Sequence, residues 1–178
     1  MELLGNKIRL RPVDDSDFED FYRWWNDPEV TGEYTDFSPK SRREVRQLLK
    51  DAHNFVIESR TDHRKVGFIA YYLVRSDYPK LFEIGYRIDR SERRKGYTTE
   101  AARLLVDYLF STKDIERIES VTDAENLPSR RVLEKNGFKR EGVLRKRSFL
   151  KGVHRNEYIY SLLREEWQKP ESSPLRAQ

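Results

Sequence analysis

An α/β (α+β) domain, a mixed sheet flanked by helices, is predicted by three features of the chain. Strand-like and helix-like segments follow one another in the order β-α-α-β-β-β-α-β-α-β-β. Val66 to Val74 is apolar on both faces, the pattern of a strand at the centre of a covered sheet. A basic loop with a single glycine, Arg93-Arg94-Lys95-Gly96-Tyr97-Thr98, joins a strand directly to a strongly periodic helix. Backbone amides and the helix dipole at such a junction can hold a phosphate-rich ligand, although a charged connection is more often simply solvated.

The first strand is expected over Lys7 to Val13, with Ile8 and Leu10 alternating against Arg9 and Arg11. Asp15 or Ser16 then caps a helix bearing Phe18, Phe21, Tyr22 and Trp25, and Asn26-Asp27-Pro28 stops it. A second helix follows Ser41, with Val45, Leu48, Leu49 and Ala52 on one face. Phe55 to Glu58 and Val66 to Val74 read as strands joined by a polar turn at Thr61-Asp62-His63. Leu81 to Asp89 is the strand before the basic loop, and the helix after it turns Ala101, Leu104, Leu105, Tyr108 and Leu109 inward. Ile115 to Thr122 is another strand. Pro128 opens a helix that Gly137 ends. Phe138 to Phe149 and Val153 to Leu163 form a hairpin about Lys151-Gly152.

The 178 residues suggest one domain, 1–168, with a loose tail at 169–178. Charged residues make up 37%, yet 12% aromatics lift the chain out of the disordered class. No cysteine is present, which excludes disulfides, thiolate metal sites and a cysteine acyl-enzyme. His53, His63 and His154 are scattered and have no metal-ligand spacing, so no metal is expected. The start of the chain lacks the pattern of a signal peptide and no run could span a bilayer, which makes cytoplasmic the default and a membrane partner unexpected. A net charge of +4 with interspersed signs gives little support to nucleic-acid binding.

Several segments, taken together in order and spacing, resemble the GNAT superfamily of acyltransferases, and within it the RimJ/RimL-type branch. They are Ile8-Arg9-Leu10-Arg11-Pro12, Trp25-Asn26-Asp27-Pro28-Glu29-Val30, the basic loop, Asn126 with Ser129, Arg131 to Phe138, and Tyr160 to Trp167. The resemblance covers nearly the whole chain. It implies the GNAT fold, a mostly antiparallel sheet of about seven strands splayed between the fourth and fifth, Leu81–Asp89 and Ile115–Thr122. It further implies acetyl-CoA as co-substrate and transfer of acetyl to a primary amine, a protein N-terminal α-amine or a small molecule. A homodimer is compatible with it.

The same resemblance implies site residues. The pyrophosphate loop would be Arg93, Arg94, Lys95, Gly96, Tyr97 and Thr98, with threonine where the family has glycine or alanine. Backbone groups near Arg87, Ile88 and Asp89 would pair with the pantetheine arm like an added strand. Asn126 matches a position whose amide contacts that arm, and as a residue it is equally good helix-capping chemistry. The family's tyrosine acid is replaced by Leu133. Ser129 stands in as proton donor to the leaving sulfur, or as a capping serine. Glu83 is the candidate base, acting through a water, or a surface glutamate. Glu33 and Tyr34 fall where relatives wall the acceptor site, and Asn156 stands where many relatives carry a carboxylate. A GNAT fold that binds CoA without turnover is the alternative reading.

Overall fold

The structure, a computed structural model, describes residues 1–77 and 79–168. The tail expected at 169–178 lies outside the described residues. Eight strands form one sheet: β1 (Leu3–Leu4), β2 (Ile8–Pro12), β3 (His53–Ser59), β4 (Lys65–Arg75), β5 (Leu81–Ile88), β6 (Arg117–Asp123), β7 (Lys139–Leu150) and β8 (Val153–Leu163). Their order is β1-β2-β3-β4-β5-β6-β8-β7. All neighbours are antiparallel except β5 and β6. The fold class is as expected, with one strand more: β1 is two residues long, too short to show a period.

Helices cover both faces. On one, α1 (Phe18–Asn26), α2 (Pro28–Thr31) and α3 (Arg42–Asp51) bury Phe21, Trp24, Val30 and Val45 against Val56 and Phe68 of the sheet. On the other, α4 (Tyr97–Thr112) and α5 (Leu127–Lys135) pack Leu104, Leu105, Leu109 and Leu133 onto Ile57, Ile69, Ile84 and Ile118. Apolar spacing of i, i+3, i+4 puts those side chains on one stripe of each helix.

Two local readings change. The entry to α1 is capped by Asp14, not Asp15 or Ser16, through a single turn at Asp15–Asp17. Asp27-Pro28 does not merely stop α1. The Asp27 carboxylate accepts the amide of Glu29 and Pro28 sits in the first turn of α2, so the same residues end one helix and begin the next. Ser41 caps α3 with Glu44 in a reciprocal box, as its position implies.

Between β5 and β6 the sheet opens. Only Phe82–Ile118 and Glu83–Glu119 are paired. One residue further, the Ser120 hydroxyl spans the widening gap and donates to the Ile84 carbonyl at 3.0 Å. Beyond that point the strands part, and the edge of β5 is left without a backbone partner.

Candidate active site

Main-chain groups of successive strand residues point to alternate sides, so the Ile84 carbonyl, which meets Ser120, fixes the direction of its neighbours. Tyr86 and Ile88 present their amides and carbonyls to the gap. Arg87 and Asp89 face β4 instead: the Asp89 amide donates to the Val66 carbonyl at 2.9 Å. The Arg87 carbonyl lies so close to Gly67 that a Cβ there would come within 2.2 Å of it. Of the three residues expected to offer backbone groups to a ligand, Ile88 alone is so oriented, joined by Tyr86. Arg87 and Asp89 are corrected by the register with β4.

The basic loop sits at the end of that gap. Gly96 has φ +85°, in the left-handed region where a side chain is strained, and no side chain caps the α4 that follows. The first-turn amides of Tyr97, Thr98 and Thr99 have no intrahelical acceptor. Arg94 is exposed with φ +65°. Lys95 is held to the buried Glu92 at 2.9 Å. Arg93 turns away from the loop and donates to the carbonyls of Glu29 and Val30 at 2.8 and 3.1 Å, bracing α2. A residue outside the sequence motif joins the loop: the Lys7 ammonium donates to the Lys95 carbonyl at 3.1 Å, and a Cβ on Gly96 would lie 3.5 Å from it. Glu100 of α4 holds Lys7 there by accepting its amide at 3.0 Å. Nothing in the local sequence around Lys7 signals this, because the contact closes over about ninety residues.

At the other end, Asn126 caps α5, its Oδ1 accepting the Ser129 amide at 3.2 Å. Its Nδ2 has no protein acceptor among the described residues, so capping leaves the donor side of the amide open. Ser129 is therefore capped rather than capping. Its hydroxyl lies 2.9 Å from the phenol of Tyr86, which also reaches the Ser129 carbonyl at 3.3 Å. Burial pushes the Tyr86 phenol up to about 12, so it stays protonated. Leu133 is fully buried in the core, which leaves Ser129 as the hydroxyl of α5 beside Tyr86.

Glu83 projects to the opposite face, the side of α1 and α2. Burial pushes its carboxyl above the ordinary range; Arg147 pulls it down, and Glu119 and Glu157 push it further up. A carboxyl so tuned can accept a proton nearer neutral pH. Glu33 and Tyr34 line a cavity of about 280 Å³ together with Glu125, Lys151 and Arg155. Burial, then the charge of Glu33, raises the Tyr34 phenol. The Asn156 side chain is occupied, accepting the Lys146 amide at 2.8 Å across a bulge in β7.

Residues 7–139 match the model of the acetyltransferase (GNAT) domain. The chain belongs to the GNAT acetyltransferase family. It is 32% identical over 175 residues to the probable N-acetyltransferase YjcK of Bacillus subtilis, covering 90% of this chain and 96% of that one. The fold is similar to Mycobacterium smegmatis RimJ in complex with CoA-disulfide, with TM-score 0.80, 24% identity and coverage of 98% and 91%. It is equally similar, at TM-score 0.80 and 18% identity with coverage of 91% and 98%, to a spermidine N-acetyltransferase of Vibrio cholerae in complex with CoA and spermine. In this GNAT acetyltransferase the sheet opens between β5 and β6. No helix among its described residues is long and apolar enough to cross a membrane.

Proposed function

We propose that this protein is an acetyl-CoA-dependent N-acetyltransferase acting on a primary amine by direct attack. The observation that carries the reading is the uncapped start of α4, with Gly96 in its left-handed turn and Lys7, Arg94 and Lys95 around it, at the end of an unpaired strand edge. The donor set fits a pyrophosphate: amides aimed outward at a positive dipole end, with ammonium and guanidinium groups for the oxygens. Main-chain groups of Tyr86 and Ile88 and the Asn126 amide suit a pantetheine arm laid along the edge. Bound acetyl-CoA supplies the acetyl group as a thioester.

The chain's own residues then approach the gap from opposite faces. Glu83, through a water, takes the proton that the amine loses as its nitrogen becomes bonded to the acyl carbon. Ser129 gives its hydroxyl proton to the departing sulfur, and the Tyr86 phenol, 2.9 Å away, replaces it. Once the products have left, Glu83 gives up its proton to water and Tyr86 takes one from water, which restores both groups. A protein α-amine, with a pKa of about 7.7–8.0, is partly neutral at pH 7, whereas a lysine near 10.4 is almost wholly charged. A single modestly perturbed carboxyl therefore suits an α-amine acceptor better.

The test is an acceptor screen with N-terminal peptides and small amines, read by the mass of the acetylated product. Acetylation of α-amines is expected. Binding of acetyl-CoA with no product from any amine would favour the CoA-binding module without turnover.

A further inference from the structure

On the α1–α2 face of the sheet, β5 carries Glu83, Gly85 and Arg87 in line. Gly85 leaves a notch between the two charged residues: a Cβ there would meet only the Tyr72 ring, at 3.5 Å. Arg87 closes one end. Its guanidinium lies over the Trp25 indole at 4.1 Å, and one Nη donates to the Thr31 hydroxyl at 3.0 Å. Among the described residues no carboxylate lies within 4 Å of it. Arg9, Arg11, Arg117 and Arg155, likewise partly exposed, each hold one. A guanidinium has five N–H donors in a planar fork, and the Thr31 bond uses one of them. Among the described residues the buried nitrogens sealed from both solvent and partners belong to Trp24 and Arg130, so the remaining donors of Arg87 are not sealed off. Desolvation without a compensating anion pulls the Arg87 guanidinium down to about 10.

A guanidinium largely withdrawn from water and left without an anion costs stability, and a residue kept in that state is a candidate place for a ligand to supply the anion. The planar fork matches a carboxylate by two parallel hydrogen bonds. We propose that Arg87 is a specificity residue that binds a carboxylate of the acceptor, so that the second substrate is an amine carrying an anionic group and not a polycation. This rests on the transferase reading above and names the substrate class for it. With the amine directed toward Glu83 and the gap, the carboxylate lies toward Trp25 and Thr31. Two sources share that chemistry: a peptide with an acidic residue near its free N-terminus, and a free amino acid. A polyamine, by contrast, would bring its second ammonium against the guanidinium.

The experiment compares matched acceptors on the wild type, Arg87→Gln and Arg87→Lys. The pairs are peptides with aspartate or asparagine near the N-terminus, and a free amino acid or its amide, with spermidine as a third arm. The wild type is expected to favour the acid of one pair by about ten- to hundredfold in kcat/KM, mostly through KM. The pair that shows it identifies the source. Arg87→Gln should erase that preference while leaving the KM for acetyl-CoA unchanged, and Arg87→Lys should restore part of it. Equal use of acid and amide by the wild type, an equal loss for both in Arg87→Gln, or spermidine as the best acceptor would overturn the proposal. Acetylation without acid preference would leave the transferase reading standing. If no acceptor turns over, calorimetry with the CoA-loaded protein and N-acetyl forms of the same pairs decides. Tighter binding of the acid by the wild type and not by Arg87→Gln supports Arg87, and equal binding refutes it. A merely structural Arg87 would lower Tm in Arg87→Gln and leave the ratio of acid to amide unmoved.

Discussion

Ser129 and Tyr86 separate two roles that a serine in the first turn of a helix can play. A capping serine accepts a backbone amide, and its removal costs about 1 kcal/mol of stability. Here Asn126 does the capping and the Ser129 hydroxyl pairs with Tyr86. Ser129→Ala is therefore expected to leave stability within about 0.5 kcal/mol, as for a substitution away from caps and core packing. It should lower kcat by about a hundredfold, the usual scale of a lost proton donor. The effect on acetyl-CoA affinity should be small, since the sulfur acquires its charge late in the reaction. Tyr86→Phe should give a smaller loss in kcat. Stopped-flow turnover and thermal melts on the same preparations check both, and a stability loss with intact turnover would return Ser129 to a structural role. Glu83 is tested by pH. Its raised carboxyl must be ionised to act, and the acceptor amine is itself increasingly protonated as pH falls. Glu83→Gln should depress the rate most between the raised carboxyl pKa and the pKa of the amine. The two proteins should converge both at higher pH, where the amine is already neutral, and at lower pH, where Glu83 itself is protonated. Ser129 and Asn126 could be picked out as candidates in the sequence by motif spacing, and Glu83 by the alternation of its strand. Tyr86, Lys7 and the orientation of Arg87 were not, because each depends on strand register or on a contact between distant segments.

The elements that build the site differ in how far their sequence declares them. The α4 stripe, the capping box at Ser41 and the β7–β8 turn at Lys151-Gly152 are local signals, and each element lies within a few residues of expectation. Leu3–Leu4 offers no period, and it becomes a strand only by pairing with Leu10 and Arg9. Asp27-Pro28 carries the chemistry of a helix start, an aspartate cap followed by proline, but the preceding helix made it read as a stop. The α4 junction has a prediction of its own. Valine at Gly96 would require φ +85° of a β-branched residue and place its side chain among the amides and Lys7. Acetyl-CoA should raise the Tm of the wild type, because it binds only the folded state, and should not raise that of Gly96→Val. Lys7→Ala, which removes one cation from the loop and nothing from the core, should reduce the shift without abolishing it. A full ligand-induced shift in Gly96→Val, seen by differential scanning fluorimetry, would remove the loop from the cofactor assignment.

At the scale of the whole molecule, the sheet and the α1–α3 layer are tied by a charged hub rather than by apolar packing alone. Asp17 is fully buried between Arg11, which meets it with two hydrogen bonds of 2.7 Å, and Lys65, also at 2.7 Å. Arg11 continues to Glu58 at 2.6 Å, and Glu58 to Arg9 at 2.6 Å, so β2, β3, β4 and the entry to α1 share one network. The alternation of Arg9 and Arg11 against Ile8 and Leu10 was visible in the sequence, but it reads as a solvated face until the fold brings Glu58 and Asp17 beneath it. Burial pushes the Asp17 carboxyl up. Hydrogen bonds from Arg11, the Asp14 amide and Lys65 overcome that and hold it well below the usual carboxylate range. A carboxylate depressed in the folded state binds its proton first in the unfolded chain, near pH 4. Its contribution is thus complete above that pH and drains away as the solution is acidified toward the native value. Asp17→Ala should destabilise the protein at pH 7 by about 2 kcal/mol, because it removes the carboxylate that Arg11 and Lys65 share and leaves a buried vacancy, while Arg11 keeps Glu58 and Lys65 keeps Asp20. The gap between the two proteins should narrow steadily below about pH 4, as the wild type loses what the variant never had. Urea unfolding from pH 7 to pH 3 measures this directly. A difference that stays constant over the range would mean that Asp17 acts by packing and hydrogen bonding, with no part of its contribution linked to its charge.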